Sequence, residues 1–191
     1  MLLAHEIPEE KLRWFREKGI LIKECKPISS NKLNSEHPPT VLGKFYIFTP
    51  EFKKWDNVAF LDSDIIVRYS IEKLSKVKGF HAVIDFGNNL LGEQFYKNIP
   101  NDSLFKKLSK NFNLNKHAFN TGVMAFSTDI ITDNLFSSLK KLFEEYSEIC
   151  KYGEQPIINL YFYSKWIKMN FLYNFCIPYW TYWAKKYHVK H

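Results

Sequence analysis

Apolar residues follow two rhythms along this chain. Short unbroken runs recur at Leu2-Leu3-Ala4, Ile20-Leu21-Ile22, Val58-Ala59-Phe60-Leu61, His81-Ala82-Val83-Ile84 and Gly122-Val123-Met124-Ala125-Phe126. Runs of that length, without polar alternation, are the pattern of strands covered on both faces. Between them the spacing shifts to three and four, the helical period. Pro8 opens a helix over 8–18 with Leu12, Trp14 and Phe15 partly on one face, and Gly19 stops it. A polar stretch over 29–40 containing Pro38-Pro39 reads as a loop, helix resumes over 41–48, and Pro50 starts a further turn. Ser70 can cap a short helix over 71–77, and 87–118 is polar and irregular apart from a short helix over 103–108. The longest helix is predicted over 129–150, where Leu135, Phe136, Leu139, Leu142, Phe143, Tyr146, Ile149 and Cys150 form one stripe. Gly153 ends it, and a short helix follows over 155–163. Strands alternating with helices in this order predict an α/β layered fold with a mostly parallel central sheet.

Composition narrows the class. A length of 191 residues suits one domain with a sizeable core. The net charge of +7 comes almost wholly from lysines spread along the chain, without a like-charge block or nucleic-acid-binding motif. We therefore expect no nucleic-acid partner, while contact with an anionic membrane surface is compatible with the charge. Cys25, Cys150 and Cys176 are odd in number and lack metal-ligand spacing, so they read as reduced core thiols of a cytoplasmic protein. The N-terminal apolar run is broken at His5-Glu6, too early for a signal peptide, and no stretch reaches the roughly twenty apolar residues of a membrane span.

Asp62-Ser63-Asp64 carries the most chemical information. Carboxylates at i and i+2 lie on one side of an extended backbone, here where an apolar strand runs out into a loop. They can hold one hard divalent cation through oxygen ligands while a phosphate fills its remaining positions, a site for a nucleotide diphosphate. In open α/β sheets ligands collect at the carboxyl ends of strands, where this motif is predicted to sit. Neither Gly-x-Gly-x-x-Gly nor Gly-Lys-Ser/Thr occurs, so phosphate charge must be met by metal and side chains. That requirement suits a nucleotide-sugar enzyme better than a dehydrogenase or P-loop kinase.

Three motifs in order then resemble the retaining glycosyltransferases of family eight. Phe60-Leu61-Asp62-Ser63-Asp64 is similar to that family's Tyr/Phe-Leu-Asp-Ala-Asp, and Phe119-Asn120-Thr121-Gly122-Val123 to its Phe-Asn-Ser/Thr-Gly-Val. Gly153-Glu154-Gln155 with Asn159-Leu160 resembles its Asp-Gln-x-x-Leu-Asn segment. The resemblance covers roughly 41–180. It implies a three-layer nucleotide-diphospho-sugar transferase fold of the GT-A type.

It also implies roles. Asp62 and Asp64 would bind Mn2+ or Mg2+, with Ser63 between them at the donor. Lys44, Asp85, Asn120, Thr121 and Gly122 would line the donor, with Asn120 on sugar hydroxyls and Gly122 allowing close backbone approach. Gln155 would lie beside the anomeric carbon, with Glu154 holding sugar hydroxyls or acceptor. The second pair, Glu93-Gln94, lies in the irregular stretch and is set aside as a decoy. The family's third metal ligand is a histidine near the C-terminus, for which His191 is the better positional candidate and His188 the second. The aromatics Tyr173, Phe175, Tyr179, Trp180, Tyr182 and Trp183 either stack on an acceptor sugar or form a lid on the core.

The reaction implied is metal-dependent transfer of a sugar from a nucleoside diphosphate donor, a UDP-sugar, to a glycan, lipid-linked or protein hydroxyl with retention. Two alternatives stay open: a non-catalytic sugar-nucleotide-binding or scaffold fragment, and a basic nucleic-acid-binding domain. Against the family pattern, residues 1–191 read as a single domain lacking the first strand-helix unit and the C-terminal Gly-x-x-Lys-Pro-Trp loop. The expectation that follows is weak activity and self-association through an uncovered sheet edge.

Overall fold

Phenylalanine supplies much of the bulk that holds this fold together. A computed structural model describes residues 1–28, 39–97 and 102–175. Within them the elements are β1 (Leu2–Ala4), α1 (Glu9–Glu17), β2 (Ile22–Glu24), β3 (Asn57–Leu61), β4 (Phe80–Ile84), α2 (Asp102–Asn111), β5 (Phe119–Ser127), α3 (Leu135–Tyr146), α4 (Gln155–Phe162) and β6 (Trp166–Lys168). Short 3-10 helices connect them, the longest spanning Pro39–Phe48.

β1 and β2 form a parallel pair, and the main sheet runs β3-β5-β4-β6. It is a mixed sheet: β5 is antiparallel to both β3 and β4, and β6 is parallel to β4. The expectation of a mostly parallel sheet fails because β5 is covered on both faces, and so reads like the strands of a parallel sheet. Phe119, Met124 and Phe126 of β5 join Phe80 and Ala82 of β4 in the larger core, under α3, α4 and the 39–48 helix. Val123 and Ala125 of β5 face the other way with Val83 and pack on Leu74 and Met169. The α/β expectation therefore holds as three layers, with period-two alternation assigning each side chain to its face. Phe80 and Phe162 lie parallel, with centroids 4.0 Å apart, and Phe48 packs on both as well as on Phe126. These contacts hold α4 against the sheet.

Two further expectations are corrected. Residues 57–61 do not form a fully buried strand: among the described residues β3 is an edge strand, with Ala59 exposed. Its apolar run lines a cleft of about 690 Å³ with Leu3, Ile47 and Phe52. The predicted helix over 129–150 is three pieces: a 3-10 turn at Thr128–Ile130, α3, and a second 3-10 turn at Ser147–Ile149. Its apolar stripe continues through the breaks because Ile131 and Ile149 are buried outside the α-helix, Ile131 in extended backbone and Ile149 in the 3-10 turn.

Where β4 and β5 separate, the pairing slips. Ala82 opposes Met124 but Val83 opposes Asn120, so residues 121–123 have no partner across β4. A bulge of this kind bends a strand and redirects its side chains. Here it frees Thr121 and Gly122, next to the paired Asn120, from the β4 ladder at the end of the sheet where β3 delivers Asp62.

Candidate active site

The carboxyl ends of β3 and β4, the bulged start of β5 and the first turn of α4 meet at one end of the sheet. Asn159 fixes the last of these. Its side-chain oxygen accepts from Phe119 N at 2.8 Å and its amide donates to Phe119 O at 2.8 Å and Gln155 O at 3.0 Å. α4 is thereby registered on β5, with Glu154 and Gln155 opposite Thr121. Gly153, at φ +51°, makes the turn into this helix in a conformation that favours glycine.

A continuous polar chain results. Lys44 Nζ lies 2.9 Å from Asp62 Oδ1, 3.1 Å from Asp62 Oδ2 and 2.7 Å from Glu154 Oε1. Thr121 Oγ1 donates to the same Glu154 oxygen at 3.0 Å, and Thr121 N donates to Gln155 Oε1 at 3.1 Å. Gln155 Nε2 donates to Asp85 Oδ2 at 2.9 Å. The orientation of the Gln155 amide is settled by its partners: a backbone N–H requires its oxygen and a carboxylate requires its nitrogen.

Asp85 accepts four hydrogen bonds. Gly87 N and Asn88 N reach Oδ1 at 2.9 and 3.3 Å, and Gln155 and Gln94 reach Oδ2 at 2.9 and 3.3 Å. Its in-plane lone pairs are thus all engaged by the protein. The sequence reading sets Glu93-Gln94 aside as a decoy, and the structure places Gln94 on Asp85 beside Gln155. Tyr96 N donates to Ile149 O and Lys151 N to Gln94 O, carrying this segment to the threshold of α4.

A second branch surrounds Gly122. Its N–H donates to Asn120 Oδ1 at 2.7 Å, Asn174 Nδ2 donates to the same oxygen at 2.7 Å, and Gly122 O accepts from Asp62 N at 2.8 Å. A Cβ at position 122 would lie 2.9 Å from Asn120 Oδ1 and 3.4 Å from Asp62 Oδ2. Close packing around this glycine follows directly. Asn174 is a residue that sequence reasoning missed; it ends a 3-10 turn, Phe171–Asn174, in a segment whose only visible signal was aromatic.

The charges are unevenly placed. Burial lowers the pKa of Lys44, but the adjacent Glu154 and Asp62 more than offset this and hold it above the ordinary lysine value. Asp62 is held above the usual carboxylate range by burial, which its share of Lys44 does not overcome; Glu154 and Asp64 push the same way. Ser63 and Asp64 are exposed at the mouth, where Lys44, Asp62 and Ser63 also bound the cleft beside β3.

Asp62 and Asp64 are hard oxygen donors suited to Mg2+ or Mn2+, and an ammonium group already sits between Asp62 and Glu154. Among the described residues no group of three His, Cys, Asp or Glu side chains is placed to hold a metal ion. Asp62 and Asp64 could contribute carboxylate oxygens to a hard cation. His188 and His191 lie outside the described residues, as do Tyr179, Trp180, Tyr182 and Trp183. Of the C-terminal aromatics, Tyr173 packs on the smaller core and Phe175 contacts Phe171.

This geometry has known relatives. The family model described as glycosyl transferase family 8 matches residues 3–191. The glycosyltransferases GlyB and GlyF of Streptococcus pneumoniae serotype 4 are each 26% identical to the chain, over 86% and 70% of its length respectively. The aligned region spans 38% of GlyB and 29% of GlyF. Among solved structures, galactosyltransferase LgtC in complex with donor and acceptor sugar analogues superposes with a TM-score of 0.63 at 19% identity, covering 86% of this chain and 58% of that one. The glycosyltransferase GlyE of Streptococcus pneumoniae gives 0.61 at 23% identity, covering 98% and 41%. The shared architecture is the GT-A fold.

Proposed function

The chain belongs to glycosyl transferase family 8, and on that premise we propose that it transfers a sugar from a nucleoside diphosphate donor, a UDP-sugar, to a hydroxyl acceptor with retained anomeric configuration. One observation carries this reading. Asp62, Lys44, Glu154, Gln155 and Asn120 come from four separate elements to one end of the sheet, beside the exposed Asp64.

Asp62 and Asp64 would hold Mn2+ or Mg2+, which when bound supplies positive charge against the leaving diphosphate. Lys44 keeps its proton and sets a second cation beside Asp62, at the edge from which the diphosphate approaches. Asn120 and Gly122 face the sugar, with Asn120 oriented by Gly122 N and Asn174. Gln155 presents the free edge of its amide to the anomeric centre, its other edge being held by Thr121 and Asp85. Thr121 and Asp85 then serve as positioning residues, since Thr121 Oγ1 donates to Glu154 and Asp85 accepts from Gly87, Asn88, Gln94 and Gln155.

Among the described residues no side chain is arranged as a nucleophile. Glu154 is engaged by Lys44 and Thr121, and a carboxamide is a weak nucleophile. A front-face route, in which the departing phosphate takes the acceptor proton, needs no protein nucleophile. The acceptor is a glycan, a lipid-linked sugar or a protein. Cys25 and Cys150 are free and buried, in keeping with a reducing, cytoplasmic setting.

The test is a panel of nucleotide sugars with Mn2+, read by thermal shift and by release of free nucleotide. Stabilisation by one donor class together with nucleotide release is expected, because a ligand stabilises only the state that binds it. Stabilisation without release would instead favour a sugar-nucleotide-binding module. A panel without either response sinks the reading.

A further inference from the structure

The chain contains two glutamines, Gln94 and Gln155, and each ends a Gly-Glu-Gln triplet. They lie far apart in sequence, yet both donate from Nε2 to the same atom, Asp85 Oδ2, at 3.3 and 2.9 Å. Gln94 is 0% exposed and Gln155 is 7% exposed. Among the described residues Gln94 Oε1 has no hydrogen-bond partner. Burying an amide with an unpaired oxygen is unfavourable, and an apolar side chain of the same length would avoid it. The carboxamide at position 94 is therefore explained by its nitrogen and not by its oxygen. What this one supplies is its bond to Asp85.

The backbone places it there deliberately. Phe95 and Cys150 form an antiparallel bridge, Tyr96 N donates to Ile149 O at 2.8 Å, Lys151 N donates to Gln94 O at 3.0 Å, and Lys151 Nζ donates to Glu93 O at 2.7 Å. Glu93 Oε2 accepts from Leu90 N at 2.9 Å and closes the turn on its own first residue. The segment carrying Gln94 is thus laced to the residues just before Gly153, and the two triplets approach Asp85 from two sides.

We propose that Gln94 is a positioning residue: by taking the remaining lone pair of Asp85 Oδ2, it fixes that carboxylate and, through it, the plane of the Gln155 amide. The proposal rests on the glycosyl-transfer reading only for its consequence in turnover. Rotation of Asp85 about its carboxylate would let Gln155 Nε2 leave the plane set by Thr121 N. With Gln94 in place, the oxygen and the nitrogen of the Gln155 amide are both held and its free edge stays aimed at the site.

Because the chain has only these two glutamines, labelling with glutamine carrying 15N in the side chain gives two amide pairs, assigned by their loss in Gln94→Met and Gln155→Ala. In Gln94→Met, which keeps the volume, the Gln155 pair should move and its hydrogens should exchange faster with solvent. Turnover should fall about tenfold, with donor KM within about twofold. In a Gln155→Ala background, Gln94→Met should cost less than about twofold more, since residues acting through one another are not additive. An unmoved Gln155 amide pair overturns the proposal, as does the same fold-loss in both backgrounds, which marks a merely structural role. If no donor is turned over by the parent chain, the transfer reading fails, and the amide resonances still decide whether Gln94 holds Gln155.

Discussion

Lys44 Nζ and Glu154 Oε1 are 2.7 Å apart, joining the 3-10 helix before β3 to the first residue before α4. The same ammonium serves Asp62, so one lysine ties the acidic end of β3 to the element that carries Gln155. Its removal leaves two carboxylates facing one another with no cation between them.

Lys44→Met should therefore destabilise the chain by about 3–5 kcal/mol near neutral pH, as expected when one partner of a buried pair is lost. The pH dependence has a definite sign. A lysine held above its ordinary value of 10.5 contributes stability that is fully present below that pH and is lost as pH rises through its higher folded value. Urea unfolding should show the gap between parent and variant closing on the alkaline side. A gap that stays constant there would mean that Lys44 is not coupled to its carboxylates.

Asp64→Asn should abolish most Mn2+-dependent binding of UDP while leaving the thermal midpoint within a few degrees, because Asp64 is exposed and the change keeps its volume. Asp62→Asn should weaken binding similarly. Burial already raises the pKa of Asp62, so its charge is costly to the fold above the carboxylate range, and Lys44 retains Glu154 as a partner. Calorimetry with Mn2+ and UDP measures both; unchanged affinity in the two variants would remove the metal from Asp62 and Asp64.

Much of this arrangement was legible in the sequence, and the limits have physical causes. Runs such as 58–61 and 122–126 announce strands because β-rich apolar segments of that length have few other uses. They do not announce an edge or a direction, since β3 lines a cleft and β5 is covered on both faces. Asp62, Asn120 and Gln155 stand in recognisable local contexts. Gln94 does not, because its place depends on the bridge from Phe95 to Cys150, a contact between segments distant in sequence. The breaks flanking α3 were hidden because buried Ile131 and Ile149 keep the helical spacing outside the α-helix.

Gln155→Ala should lower turnover by about one to three orders of magnitude while donor affinity changes little, the signature of a contact made chiefly in the transition state. Steady-state kinetics with direct donor titration separates the two quantities. Equal losses in affinity and turnover would make Gln155 a ground-state ligand instead.

Gly122→Ala places a Cβ 2.9 Å from Asn120 Oδ1, an atom fixed by bonds from Gly122 N and Asn174. The side chain must yield, breaking at least one of those bonds. Donor affinity should drop about tenfold or more with the fold intact, each lost hydrogen bond contributing about 0.5–1.5 kcal/mol. Wild-type affinity in this variant would show that the donor does not depend on the set position of Asn120.

Cys150 gives the chain a chemical clock. Its thiol is buried, pushed by burial far above the ordinary cysteine value, and donates to Tyr146 O at 3.3 Å. Its backbone bridges Phe95, next to Gln94. An alkylating reagent can reach this buried sulfur only after the structure around it has opened, so the modification rate of the peptide containing Cys150 counts those opening events. A bound donor that rests on Gln155 should slow that count, turning a residue with no part in the reaction into a gauge of how firmly the site is held shut.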